Sequence, residues 1–113
     1  MYKREKILLV SSGDLRLDAN QVGWKFQEKM EQQLETTLYE FGCQVLRAHS
    51  YNSTKLHGFI DSQKMGMEVF KNLDPTLPII VAESVWQYSH HVLPGLMTHK
   101  GPILTLANWE GMS

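Results

Sequence analysis

The stretch VWQYSHH, residues 85–91, sets a tryptophan, a tyrosine and two adjacent histidines just past a short apolar run, LPIIVAE. Indole and phenol faces stack on apolar surfaces, and imidazoles donate or accept hydrogen bonds. Together these types suit a wall that holds a polar small molecule. Three other stretches hold comparable residues. SSGDLR (11–16) offers hydroxyls, Asp14 and Arg16. HSY (49–51) offers an imidazole, a hydroxyl and a phenol. NWE (108–110) closes a last apolar run, and Glu83 ends the run before Val85.

Each candidate has two readings. Arg16 can grip a carboxylate or a sugar hydroxyl, or it can pair with Asp14 or Asp18. The glycine in SSGDLR lacks the spacing of either nucleotide-binding glycine motif, so it reads as turn geometry. His90 and His91 on a helix would point about 100° apart. With no spaced carboxylate partner, capping or hydrogen bonding is expected of them rather than metal ligation. Trp86 and Tyr88 share a side if the segment is extended. They form either a platform for a sugar face or a packing surface for a neighbouring domain. Trp24 is expected on or beside the first helix. No Ser-His-Asp or Cys-His arrangement is evident, and Cys43 reads as structural.

These residues need a frame. KILLVSS (6–12) is a continuous apolar run, the pattern of a strand buried on both faces. Asp18, with Gln21 three residues on, has the form of a capping box. Val22, Phe26, Met30, Leu34, Leu38 and Phe41 then recur at helical spacing over about five turns, closed by Gly42. CQVLRAH (43–49) reads as a second strand. Leu56, Phe59, Ile60, Met67, Phe70 and Leu73 give a less regular helical stretch that Asp61-Ser62 can divide. PIIVAE (78–83) is a third strand. A loop and short helix limited by Pro94 follow, and ILTLAN (103–108) is a fourth strand. This alternation implies an α/β domain, a flavodoxin- or Rossmann-like parallel sheet of order 2-1-3-4 with helices on both faces. The candidate residues then gather at the carboxyl edge of the sheet. The last strand has no helix after it, so the chain is expected to continue or to be covered by another subunit.

The 113 residues amount to one domain, residues 1–113. Hydrophobic content of 42% and charged content of 20% fit a globular chain. Net charge is −1 and no basic run is present, which argues against nucleic acid as a partner. No apolar run reaches the roughly 20 residues of a membrane span, and no signal peptide is visible. A single cysteine excludes an internal disulfide and a cysteine-based zinc site. A cytoplasmic location is the default expectation.

VWQYSHHVLPGLMTHKGPILTLANWEG, with its W-x-Y after the third strand and G-P-I-L-T-x-A-N-W at the fourth, resembles the N-terminal region of the L-fucose isomerase family. That family shares architecture with L-arabinose isomerase. SSGDLRLDANQVGWKF is similar as well. The resemblance covers nearly the whole chain but only the first domain of a longer family protein. It implies aldose–ketose interconversion with a divalent metal, usually Mn²⁺, whose ligands and acid/base carboxylates belong to later domains. It implies a first domain that supports a homo-oligomer and helps close a neighbouring subunit's site. By position Arg16 and Trp86 would be substrate-side residues, with Tyr88 and His90 beside them. No metal ligand or catalytic residue is expected in this chain. Two other expectations compete. One is a stand-alone, non-catalytic sugar-binding or interaction module. The other is a flavodoxin-like or phosphate-loop binder.

Overall fold

Strand alternation decides how the sheet is covered. In β1 (Glu5–Val10), Leu8 and Val10 face one way and Leu9 the other. In β3 (Ile79–Glu83), Ile79 and Val81 join Leu8 and Val10, while Ile80 and Ala82 join Leu9. Both strands are apolar on both faces, so both faces require helices. A computed structural model describes residues 4–83 and 89–107 and shows how they are supplied.

The element order is β1, α1 (Leu17–Glu40), β2 (Cys43–Arg47), α2 (Gln63–Asn72), β3, a 3₁₀ turn (Ser89–His91), α3 (Leu93–Thr98) and β4 (Ile103–Ala107). The sheet is parallel, in the order β2-β1-β3-β4 expected from the alternation. On one face α1 sets Met30, Leu34 and Leu38 over Ile7, Leu9, Val45, Ile80 and Ala82. On the other, Met65, Val69, Phe70 and Leu96 cover Leu8, Val10, Ile79 and Val81, with Ile60 and Val92 between them. Each fully buried aliphatic side chain contributes about 1.5–3 kcal/mol relative to exposure. No helix among the described residues is long and apolar enough to cross a membrane.

Two details correct the sequence reading of α1. The N-cap position is Arg16, extended and without a side-chain cap, and Asp18 lies inside the first turn, bonded to the Ala19 N–H. The apolar stripe is also only half right. Val22, Phe26 and Phe41 are exposed, while Asn20, Gln27 and Glu31 are buried. Met30, Leu34 and Leu38 pack on apolar sheet residues, while Gln27 and Glu31 bond the Ala82 carbonyl and Arg47. Gly42 closes the helix at φ +88°, where a side chain would be strained.

The second helical stretch is shorter than its spacing suggests. Leu56 has φ +61°, and α2 begins only after Ser62, whose hydroxyl accepts from the Met65 N–H. Residues 52–61 are turns and bridges instead. Ile60 pairs with Ser12 as a short extension beyond β1. β4 is exposed on both faces, with Ile103, Leu104 and Leu106 open to solvent.

Candidate functional site

The connection from β1 leads to β2 on one side, and the chain then crosses to β3 on the other. The crevice between the carboxyl ends of β1 and β3 is therefore the topological switch point, where ligands bind in open parallel sheets. Ser11 and Ser12, both fully buried, form one lip, and Glu83, the last residue of β3, forms the other.

The backbone N–H groups of Ser11–Asp14 and Arg16 in the β1–α1 loop are already bonded. Ser11 N–H donates to His49 Nε2 at 3.2 Å, and Ser12 N–H donates to Glu83 Oε1. Gly13 N–H donates to the Ile60 carbonyl at 2.9 Å and Asp14 N–H to Asn20 Oδ1 at 2.7 Å. Arg16 N–H donates to Asp14 Oδ1 at 3.0 Å. A loop that cradles phosphate keeps such donors open toward its ligand. Here the ends of β2 and β3, the Ile60 bridge and the first turn of α1 consume them.

Arg16 is exposed and takes the partner its neighbours offered. Its guanidinium bonds both Asp14 oxygens, at 2.9 and 3.3 Å. The Arg16 side chain and backbone N–H hold the Asp14 carboxyl down at about 2. The pair sits at the rim of the crevice.

Under the rim lies a polar network that sequence reasoning did not find. Arg47, at the end of β2, bonds Glu31 on α1 through Nε at 2.7 Å and through its terminal nitrogen at 3.3 Å. The guanidinium also donates to the carbonyls of His49 and Gly58 and to Ser11 Oγ. Gln27 donates to Glu31 Oε2 and to the Ala82 carbonyl. Arg47 lies 5.2 Å from the ring centroid of Trp24, which packs edge-on to Phe59. One cation thus ties α1 to three segments of the carboxyl edge. Glu31 and Arg47 stand 16 residues apart on different elements. Each read alone is an ordinary surface charge, so only the fold reveals the pair.

Two buried histidines are neutral. Burial, and then the nearby Arg47 charge, pushes His49 down to about 3. Since its Nε2 accepts from Ser11, the ring proton is on Nδ1, on the side of the Gly58 carbonyl. His57 accepts the Phe59 N–H at Nδ1, and its Nε2 lies 3.4 Å from Asp61 Oδ2. Burial lowers the affinity of His57 for a second proton. Burial also raises Glu83 well above the usual carboxylate range, with the Glu31 charge adding to it, so the neutral acid is favoured. Only the Ser12 N–H opposes this.

Of the expected substrate-side residues, Arg16 stands at the rim and His90 is exposed on the 3₁₀ turn, while His91 beside it is buried. Trp86 and Tyr88 lie outside the described residues, as do Asn108, Trp109 and Glu110. Trp24 belongs to α1 itself and is buried. Among the described residues no three His, Cys, Asp or Glu side chains come together to hold a metal ion. The resemblance assigns the ligands of its Mn²⁺ to later domains rather than to these residues.

No family model, no curated protein and no solved structure matches the chain.

Proposed function

We propose that this chain is the substrate-side α/β domain of an aldose–ketose sugar isomerase of the L-fucose isomerase kind. It supplies one wall of a site for an uncharged polyhydroxy compound and associates with further copies of itself. The observation that carries this reading is that the N–H donors of Ser11–Asp14 and Arg16 in the β1–α1 loop are already bonded. A phosphate or flavin phosphate would find those donors taken. A neutral polyol needs only side-chain partners, and the Arg16–Asp14 pair at the rim offers both donors and acceptors. The resemblance carried by the W-x-Y and G-P-I-L-T-x-A-N-W motifs supports a sugar as the substrate class and ketol isomerisation as the reaction class. The exposed β4 edge supports self-association. On this reading the chain by itself does not isomerise sugars, because enediol chemistry needs a metal or paired acid/base groups within reach of the substrate.

The test is an amide NMR titration of the isotopically labelled chain with L-fucose, L-fucitol and L-arabinose, and with FMN and inorganic phosphate. The sugars or the polyol are expected to move signals of Ser11–Arg16 and Glu83. Movement of the same signals by FMN or phosphate, with none by the sugars, would overturn the proposal.

A further inference from the structure

We propose that Glu83 is the group that meets the ligand from inside the crevice, with its Oε2 donating a hydrogen bond to a hydroxyl or carbonyl oxygen of a neutral compound. This rests on the sugar-site reading and names the residue that would do the recognising.

The geometry comes first. Glu83 ends β3 at the switch point and is 5% exposed. Its Oε1 is fixed by the Ser12 N–H across the crevice. Its Oε2 is buried and has no hydrogen-bond partner among the described residues. Alternation puts Glu83 on the same face as Val81 and Ile79, so apolar side chains lie below it along the strand. Folded proteins pair nearly all such atoms, and an exception calls for a water, an ion, strain or a functional role to account for it.

Charge decides which way the hydrogen bond runs. The titratable and charged groups on the elements around the crevice include Glu31 on α1, Arg47 at the end of β2 and bonded to Ser11, His49 after it, Asp14 and Arg16 in the β1–α1 loop, Asp61 before α2 and His90 and His91 in the 3₁₀ turn. Burial and the Glu31 charge both disfavour a carboxylate at Glu83. The Ser12 N–H already claims Oε1 as an acceptor, so the proton resides on Oε2. A neutral acid held this way donates; it does not attract cations. It selects an oxygen acceptor and rejects an analogue that lacks one, because the donor would then stay buried and unpaired. Oε2 is buried, so its hydrogen bond to the ligand would form out of contact with bulk water.

The experiment follows the Glu83 carboxyl-carbon NMR signal and polyol binding together, with L-fucitol as the probe, from acid to alkaline pH. Glu83→Gln is the comparison, since an amide keeps an acceptor for Ser12 and a donor in place of Oε2 but cannot titrate. The carboxyl signal is expected to report a neutral acid at pH 7 and to shift with L-fucitol. Wild-type affinity is expected to fall about tenfold as the acid loses its proton, a loss of about 1.4 kcal/mol, while Glu83→Gln binds evenly across the range. If L-fucitol moves the loop signals but not the Glu83 carboxyl, and both proteins show the same pH profile, this inference is overturned and the sugar site stands. If L-fucitol moves no signal at the carboxyl edge, the sugar site fails and this inference with it. An ionised Glu83 at pH 7 also overturns it, whatever binds.

Discussion

Arg47 and Glu31 join the second strand to the first helix through two charge-assisted hydrogen bonds, and the same guanidinium holds the carbonyls of His49 and Gly58. Glu31 is nearly buried and Arg47 partly so. Removing one partner strands the other. Arg47→Met should therefore cost about 3 kcal/mol, near the lower end for a broken buried pair. Glu31→Gln keeps a hydrogen-bonding carbonyl and should cost less. Denaturant unfolding of both variants checks the order. Equal and negligible losses would mean that the network does not hold the carboxyl edge.

Stability should fall toward acid because of His49. Its folded-state affinity for a proton is lowered to about 3 from 6.5, so its stabilising contribution is present above pH 6.5 and is lost as pH drops toward about 3. Glu83 works at the other end. Its pKa is raised in the fold, so its contribution is complete below the unfolded value of 4.5 and is lost as pH rises through the higher folded value. His49→Gln, which retains an acceptor for Ser11, should flatten the acid limb. Glu83→Gln should match wild type near pH 4 and exceed it at alkaline pH. Melting temperatures across the pH range read both limbs, and unchanged profiles would refute the assignment.

Gly66→Ala should be among the most damaging small changes in the chain. A Cβ there would lie 1.7 Å from the His91 carbonyl oxygen, and the obstacle is backbone rather than a flexible side chain. Overpacking of this kind costs about 1–3 kcal/mol or more. The change should separate α2 from the 3₁₀ turn, and hydrogen exchange should quicken at Ser89–His91 before it does in β1.

Arg16→Gln separates rim from core. The Arg16 side chain is 73% exposed and bonds only Asp14 among the contacts described, so unfolding free energy should change by no more than about 0.5 kcal/mol. Sugar-induced shifts at the carboxyl edge should nonetheless weaken. A variant that melts early without losing binding would make Arg16 a structural residue.

The strands and their order were legible in the sequence, because apolar runs of strand length separated by helical spacing permit few arrangements. The burial of α1 was not. Val22 and Phe26 fit an apolar stripe as well as Met30 does, yet they face solvent while Gln27 and Glu31 face inward. Periodicity registers apolar content alone, and the upper part of this helix packs on Arg47 and the Ala82 carbonyl, which only the third dimension brings beneath it. The residues from 52 to 61 misled for a similar reason. Phe59 and Ile60 are buried at the end of β1 rather than on a helix. Glu83 was visible at the edge, but its bond to Ser12 lies 71 residues away in sequence.

The bonded state of the β1–α1 loop bears on the entropy of recognition. A loop whose N–H groups are satisfied by its own protein is already ordered before any ligand arrives. A ligand meeting it freezes few backbone torsions, each of which would otherwise cost about 1–2 kcal/mol. Binding at this lip should therefore draw its selectivity from single hydrogen bonds rather than from the folding of the loop around its guest.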